Sequence, residues 1–427
     1  MLDIQRIRDN PQAVAQAASN KKNPVDIDQL LALDARRREI IKQVEDLKSL
    51  RNKNSSHIAS LKKAQKDADA AALMEEMKNV SGTIKDLDGQ QAEAEKDIYA
   101  IMQWVPNIPH ESVPHGEGPQ DNPVSSIHGE PKLFDFPALD HLQIGTALDI
   151  IDFGRGTKAS GAGFPVYKGH GALLERALIN FMLDTHVRRN GYCEIFPPFL
   201  VNEESLFGAG QLPKLKDQMY HINEDELYCI PTAEVPVTNL HRDEILDGRQ
   251  LPIRYCAYSA CFRREAGSYG KDTKGFLRVH QFNKVELVKF VVPESSYEEL
   301  EALRSDAEGI LRALGLHYRV LTLCDADLSF AAAKCYDLEA WAPGENKFLE
   351  VSSCSNFEDF QARRTNIRFR QNPGEKPKFV HTLNGSGLAT ARILVAILET
   401  YQTAQGTVQI PDVLQPYMYG MKEILPR

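Results

Sequence analysis

Two charged runs, "FRRE" at 262–265 and "HQFNKVE" at 280–286, flank a Gly-rich stretch and read as an outgoing and a returning strand. Side chains along a strand alternate faces. Arg263 and Glu265 therefore share a face on the way out. Arg278, His280, Phe282, Lys284 and Glu286 share one on the way back, while Val279, Val285 and Leu287 point oppositely. A ring among charges of both signs suits a flat heterocycle that carries phosphates. The ring stacks, a guanidinium takes phosphate, and a carboxylate takes an amino group. An isolated strand with such a face is ordinarily a solvated one, so the pattern needs support from elsewhere in the chain.

Three further segments offer it. "PTAEV" reads as a strand with Thr232 and Glu234 on one face. "LEVSSCSN" puts Glu350 and Ser352 on one face with Ser353 close by, and a carboxylate beside a hydroxyl is a half-site for Mg²⁺, which takes few, hard oxygen ligands. "LNGSGLATAR" reads as a Gly-rich turn into a helix with Arg392 in its first turns, a weak anion-site signal. Singly, each is better read as a surface strand or a capping turn. No GxxxxGK[ST] and no strand–GxGxxG–helix unit occurs, which disfavours a P-loop or Rossmann nucleotide site.

The elements that must position these residues follow from the rest of the chain. At 427 residues it is long enough for two domains or more. The 42% apolar and 26% charged fractions are those of a soluble globular protein, and no run reaches membrane-span length. The opening "MLDIQRIRDNPQAV" lacks an apolar secretory core, so the expected location is cytoplasmic. The 7 cysteines are scattered singly, which indicates neither a zinc knuckle nor a disulfide framework. A net charge of −9 argues against indiscriminate nucleic-acid binding but allows a local basic surface.

Residues about 28–102 lack Pro. Leu73, Met77, Val80, Ile84, Leu87, Gln91, Ala94, Ile98 and Ile101 step by four and three, the seam of a coiled coil. Leu33, Ile40, Leu47, Asn54 and Leu61 form a matching row, and polar "KKAQKDAD" separates the two. One chain with two seams is an antiparallel helical hairpin, each arm about 50 Å long. Its first helix is basic, with Arg37, Arg38, Lys42 and Arg51 among the charges. Interhelical pairing and a phosphate contact account for that stripe equally well. Residues about 105–140 are Pro-rich and read as a linker. Beyond it, "LLERALINFMLDTHVRRN" reads as an amphipathic helix ended near Gly191. The strand-like runs that follow, with helices around them, predict an α+β fold on a largely antiparallel sheet.

Taken together, these segments resemble the class II aminoacyl-tRNA synthetases. "FRRE" with its Gly-rich loop looks like their motif 2, "GSGLATAR" like motif 3, and the helix–Gly191–strand–Pro198 segment like motif 1. Within that class, "PTAE", "HQFNKVE", "EVSSCSNFEDFQARR", "HTLNGSGLA", "LRNKNS", "NIPHESVP" and "QIPDVLQPYM" resemble the seryl-tRNA synthetase family of bacterial type along the whole chain. The resemblance implies an N-terminal tRNA-binding domain over 1–104, the linker over 105–140 and a catalytic domain over 141–427. It implies that ATP meets Arg263, Arg264, Glu265, Phe282, Glu350, Val351, Ser352, Ser353 and Arg392, although strand parity turns Arg264 away. Serine would meet Thr232, Ala233, Glu234, Glu286 and Ser386. Mg²⁺ would sit on Glu350 and Ser353, where parity alone favours Ser352. No zinc is implied. The hairpin would grip the long variable arm of tRNA(Ser), and of tRNA(Sec), through Arg37, Arg38, Lys42 and Arg51, and motif 1 would build a homodimer. Two rivals share the catalytic segments. An amino acid–carrier protein ligase has no use for a basic hairpin, and a non-catalytic paralogue would be expected to have lost Arg263, Glu350 or Arg392.

Overall fold

The computed structural model describes residues 1–267 and 274–426; residues 268–273 of the Gly-rich loop lie outside the described residues. The chain divides into two compact units, Leu2–Val105 and Pro106–Arg427.

The first unit carries the hairpin, helices α1 (Ile27–Lys63) and α2 (Asp67–Met102). Asp26 caps α1 by accepting from the Gln29 N–H at 2.8 Å. Ile40, Val44 and Ile84 pack together in the seam, with Leu47, Val80 and Leu87 against them. The predicted periodicity is met because an isolated helical pair has no other apolar surface to bury. Near the base, Arg8 holds the buried Asp34 through Nε and Nη2 at 2.7 and 2.8 Å.

The second unit is built on an eight-stranded sheet. Its strands are β1 (Val124–His128), β2 (Cys193–Ile195), β3 (Ile253–Phe262), β4 (Gln281–Val291), β5 (Tyr318–Thr322), β6 (Lys334–Ala342), β7 (Lys347–Asn356) and β8 (His381–Ala389). Their order is β1-β5-β6-β7-β8-β4-β3-β2, antiparallel except where β2 joins β3. Helices α3 (His170–Arg188), α5 (Ser296–Ala313) and α6 (Thr390–Thr400) pack their apolar sides into the main core, where Leu174, Leu178, Leu303, Ile310, Leu394 and Ile397 are buried. A fully buried side chain of this size contributes roughly 1.5–3 kcal/mol. A short helix, α4 (Glu234–Thr238), lies between β2 and β3 in the chain.

Several expectations are corrected. The segment read as a linker contains an edge strand: β1 pairs with β5, and the buried Asn107 donates to the carbonyls of Ala331 and Phe357 at 3.0 and 2.8 Å. Pro123 and Pro131 bound β1 rather than interrupt it, as suits an edge. "PTAEV" is not a strand; Thr232 precedes α4 and Glu234 begins it. "LNGSGLA" is not a turn but strand β8, which runs straight into α6. Its glycines are there for close packing. A Cβ on Gly385 would stand 2.9 Å from Cys354 Sγ, and one on Gly387 would stand 2.6 Å from His186 Nε2. That imidazole, pushed down to about 4 by burial, donates from Nε2 to the Gly387 carbonyl at 2.8 Å.

Candidate active site

The returning strand β4 lies at the centre of the site, between β3 and β8. Phe282, Lys284 and Glu286 turn to one face, and Val285 and Leu287 are buried on the other. β3 ends at Phe262, so Arg263 and Glu265 stand just beyond it, and Glu265 takes a positive φ of 50°. A cleft of about 610 Å³ opens over this face. Arg263, Glu265, Phe282, Glu350, Ser353 and Arg392 all line it. Val351, Ser352, Thr232, Glu234, Glu286 and Ser386 line it as well.

One end is half-open and charged. The Arg263 guanidinium lies 5.1 Å from the Phe282 ring centroid, and its Nε donates to the Pro231 carbonyl at 3.4 Å. Arg278 Nη1 donates to Glu265 Oε2 at 2.6 Å. Arg392, in the first turn of α6, donates from Nη1 to the Glu350 carbonyl at 2.9 Å and lies 3.4 Å from its carboxylate. The β6–β7 pairing slips between Leu338 and Glu339, so Ser352 faces Leu338 while Glu350 faces Glu339. Val351 is thus an extra residue in β7, a bulge. It brings the Ser353 hydroxyl, not that of Ser352, to 3.4 Å from Glu350 Oε1. Ser353 Oγ also donates to Asp337 Oδ1 at 2.5 Å. Burial, with Glu350 nearby, holds the Asp337 carboxyl well above the usual range. Ser352 is buried and donates to the Ser386 carbonyl at 2.7 Å.

The other end is closed. Glu286 is buried, and Lys284 Nζ pairs with its Oε2. Thr232 Oγ1 donates to that same oxygen at 2.8 Å, and Asn384 Nδ2 donates to Oε1 at 3.0 Å. Ser386 faces Glu286 across the β4–β8 pairing. The Glu234 N–H bonds Thr232 Oγ1 at 3.1 Å, which starts α4. Glu234 Oε1 accepts from Gln361 Nε2 at 2.6 Å, and Thr382 Oγ1 donates to Gln361 Oε1 at 2.7 Å. Burial first, then repulsion from Glu286, raises the Glu234 carboxyl to about 7.

Two of the candidate residues are not brought to the cleft. Arg264 extends outward, with its N–H on the Gln218 carbonyl at 2.9 Å and Nη1 3.3 Å from the Asp217 carbonyl. Ala233 is wholly buried in a small core with Val237, Leu246 and Ala257. His280, placed by parity on the working face, instead accompanies Phe164 at 5.3 Å and bonds the Arg263 carbonyl at 2.9 Å. It lies one residue before β4 begins, where strict alternation no longer holds. The sequence pattern alone assigns no role to Lys284, Asn384 or Gln361. The parity of Asn384 with Ser386 along one strand was the available signal for the second. On the arm, Arg37 reaches Glu95 at 3.7 Å and Arg38 reaches Asp34 at 3.1 Å, whereas Lys42 and Arg51 show no ion pair among the described residues.

Residues 217–401 match the class II tRNA synthetase core domain (G, H, P, S and T), and residues 1–109 match the seryl-tRNA synthetase N-terminal domain. The serine–tRNA ligase of Chloroherpeton thalassium is 56% identical over 426 residues, covering 98% of this chain and 99% of the relative. The crystal structure of seryl-tRNA synthetase from Pyrococcus horikoshii complexed with ATP superposes with a TM-score of 0.95 at 38% identity, each chain covered in full. That of the cytoplasmic serine–tRNA ligase from Naegleria fowleri in complex with AMP does so at 0.89 and 29%, covering 100% of this chain and 99% of that one. Identity at this level along the whole length makes this chain a member of the serine–tRNA ligase family.

Proposed function

We propose that the cleft takes ATP at its open end and L-serine at its closed end, forms seryl-adenylate, and passes the seryl group to tRNA. The observation that carries this is the convergence of Arg263, Phe282, Glu350 and Arg392 on one cleft whose far end is a buried polar network. The serine carboxylate attacks the α-phosphorus, the P–O bond to the β-phosphate breaks, and pyrophosphate leaves. The terminal ribose hydroxyl of tRNA then attacks the acyl carbon, forming the ester and releasing AMP. Neither step needs a protein nucleophile; the chain's contribution is alignment and charge neutralisation.

In this reading Arg263 holds the α-phosphate, Phe282 stacks on adenine, Glu265 accepts from its amino group and Arg392 receives the γ-phosphate. The Arg278–Glu265 bond supports the carboxylate as an acceptor held in place. Glu350 and Ser353 are hard oxygen donors that suit Mg²⁺, with Asp337 orienting the Ser353 hydroxyl. When bound there, Mg²⁺ supplies positive charge to the phosphate oxygens. Serine selection follows from polar satisfaction. Glu286, Thr232 and Ser386 sit where a hydroxyl and an ammonium complete their bonding, and an analogue that leaves one buried group unpaired loses roughly 1–3 kcal/mol.

The hairpin grips the backbone of the long variable arm of tRNA(Ser), and of tRNA(Sec), rather than base edges, which A-form helices conceal. Lys42 and Arg51 carry most of that contact, because Arg37 and Arg38 are engaged within the arm. The enzyme acts as a cytoplasmic homodimer through an isologous contact of the α3–Gly191–β2 segment. The 77% exposure of Phe196, next to the edge strand β2, supports a covered face there. The deciding experiment is serine- and ATP-dependent pyrophosphate exchange, followed by charging of purified tRNA(Ser). Exchange without serine dependence, or charging absent despite exchange, overturns the reading.

A further inference from the structure

Glu175 touches no part of the cleft, yet it joins three elements behind it. It is buried in the early turns of α3. Asn283 Nδ2, on β4, donates to its Oε1 at 2.8 Å, and the hydroxyl of Thr390, the first residue of α6, bonds the same oxygen. Thr390 Oγ1 also lies 3.1 Å from the Asn283 carbonyl oxygen. Asn283 directly follows Phe282, and Thr390 precedes Arg392 by two residues.

Counting protons decides the state of this group. A carboxylate and a peptide carbonyl only accept, and a threonine hydroxyl has a single proton to give. Both Thr390 contacts are hydrogen bonds only if Glu175 brings a proton of its own. Its O–H then donates to Thr390 Oγ1, and the Thr390 O–H donates to the Asn283 carbonyl. The second oxygen, Oε2, is buried without a partner among the described residues, as is the nearby Tyr167 phenol. A neutral acid tolerates that; a buried carboxylate does not.

We propose that Glu175 is a positioning residue for the nucleotide: as a neutral acid it fastens Asn283 to Thr390, fixes Phe282 and Arg392 relative to each other, and loosens that grip when its proton is lost. The proposal rests on the assignment of Phe282 and Arg392 to ATP.

Burial raises the Glu175 carboxyl to about 7, against the lowering effect of Thr390 and Asn283, so the proton is exchanged within the working range. Among the described residues, the titratable groups that face it are two phenols, Tyr167 from the short strand Val166–Tyr167 and Tyr258 from β3. Burial and the proximity of Glu175 raise both, so they stay neutral while Glu175 titrates. Tyr258 OH in turn donates to Asn283 Oδ1 at 3.0 Å.

The test is pyrophosphate exchange with saturating Mg²⁺ between about pH 6 and pH 8.5. KM for ATP and KM for serine are read separately in the unmodified enzyme, Glu175→Gln, Glu175→Ala and Arg392→Ala. The unmodified enzyme is expected to lose roughly tenfold in ATP affinity across the range. Glu175→Gln, which never ionises, is expected to show a KM for ATP that does not change with pH across this range. Glu175→Ala is expected to raise KM for ATP roughly tenfold at every pH, with KM for serine changed less than about twofold. A Glu175→Gln enzyme that keeps the unmodified pH dependence overturns the proposal, and this result can be read even if Glu175→Ala fails to fold. If Arg392→Ala leaves KM for ATP unchanged, the ATP assignment itself falls. If Arg392→Ala raises it while both Glu175 variants behave as unmodified, only the role of Glu175 falls.

Discussion

The two ends of the cleft handle charge in opposite ways. At the closed end Glu286 is already met by Lys284, Thr232 and Asn384, and Glu234 by Gln361. At the open end Arg263 and Arg392 make contacts of 2.9–3.4 Å to carbonyls and a carboxylate and remain partly solvated. A buried ion pair whose partner is removed leaves an uncompensated charge, whereas an exposed pair is worth little to stability. In the proposed reading the closed end therefore joins recognition to folding, and the open end separates them. A small substrate that differs from its competitors by one group calls for the first arrangement. A polyanion that brings its own charge is served by the second.

The sharpest way to break this contrast is at Arg263. Arg263→Ala is expected to lower pyrophosphate exchange by about 10³-fold while the melting temperature stays nearly unchanged, since the half-buried side chain makes one long hydrogen bond and one ring contact. Near-normal exchange would erase the distinction. Glu286→Ala should destabilise the fold as well as abolish exchange. It strands the Lys284 ammonium and is expected to cost roughly 3–5 kcal/mol in chemical denaturation. If it unfolds no more easily than Arg263→Ala, the closed end is not structural.

Smaller effects refine the picture. Replacing Lys42 and Arg51 with Gln together is expected to reduce the slope of log affinity for tRNA(Ser) against log salt by about two, with exchange unchanged. A fall in exchange would place the arm in the first step. Last, Glu234→Gln reports on the raised carboxyl. A carboxyl that is neutral in the fold and ionised when unfolded loses stability as pH rises from its ordinary value towards about 7. The melting temperature of the variant should therefore gain on that of the unmodified protein through this window and then level off. A constant offset across that window would mean that Glu234 is ionised throughout.

Much of this was legible in the sequence because periodicity carries through a single element. The α2 seam residues all turn inward, and Phe282 and Glu286 share a face, since both follow from local repeats. What failed depended on partners. Nothing inside "LEVSSCSN" encodes the slip against β6 that selects Ser353 over Ser352. Gly385 and Gly387 looked like turn residues, but their need for space comes from Cys354, Leu303 and His186, distant in the chain. Thr232 and Glu234 alternate as a strand would, yet the threonine hydroxyl captures the Glu234 amide and starts a helix. The β1 strand was hidden because edge strands tolerate flanking prolines that a central strand excludes.

The extra residue at Val351 has a consequence for how this strand can evolve. An unbroken zigzag offers same-side groups only at even separations, so a donor pair three positions apart requires a change of phase. Everything downstream inherits that phase, including the junction of Cys354 with Gly385. Loss of the residue at 351 would restore an unbroken zigzag in which Glu350 and Ser353 stand two apart and still share a side, whereas loss or gain of one residue between Ser352 and Cys354 would swap which of Ser353 and Cys354 faces the core.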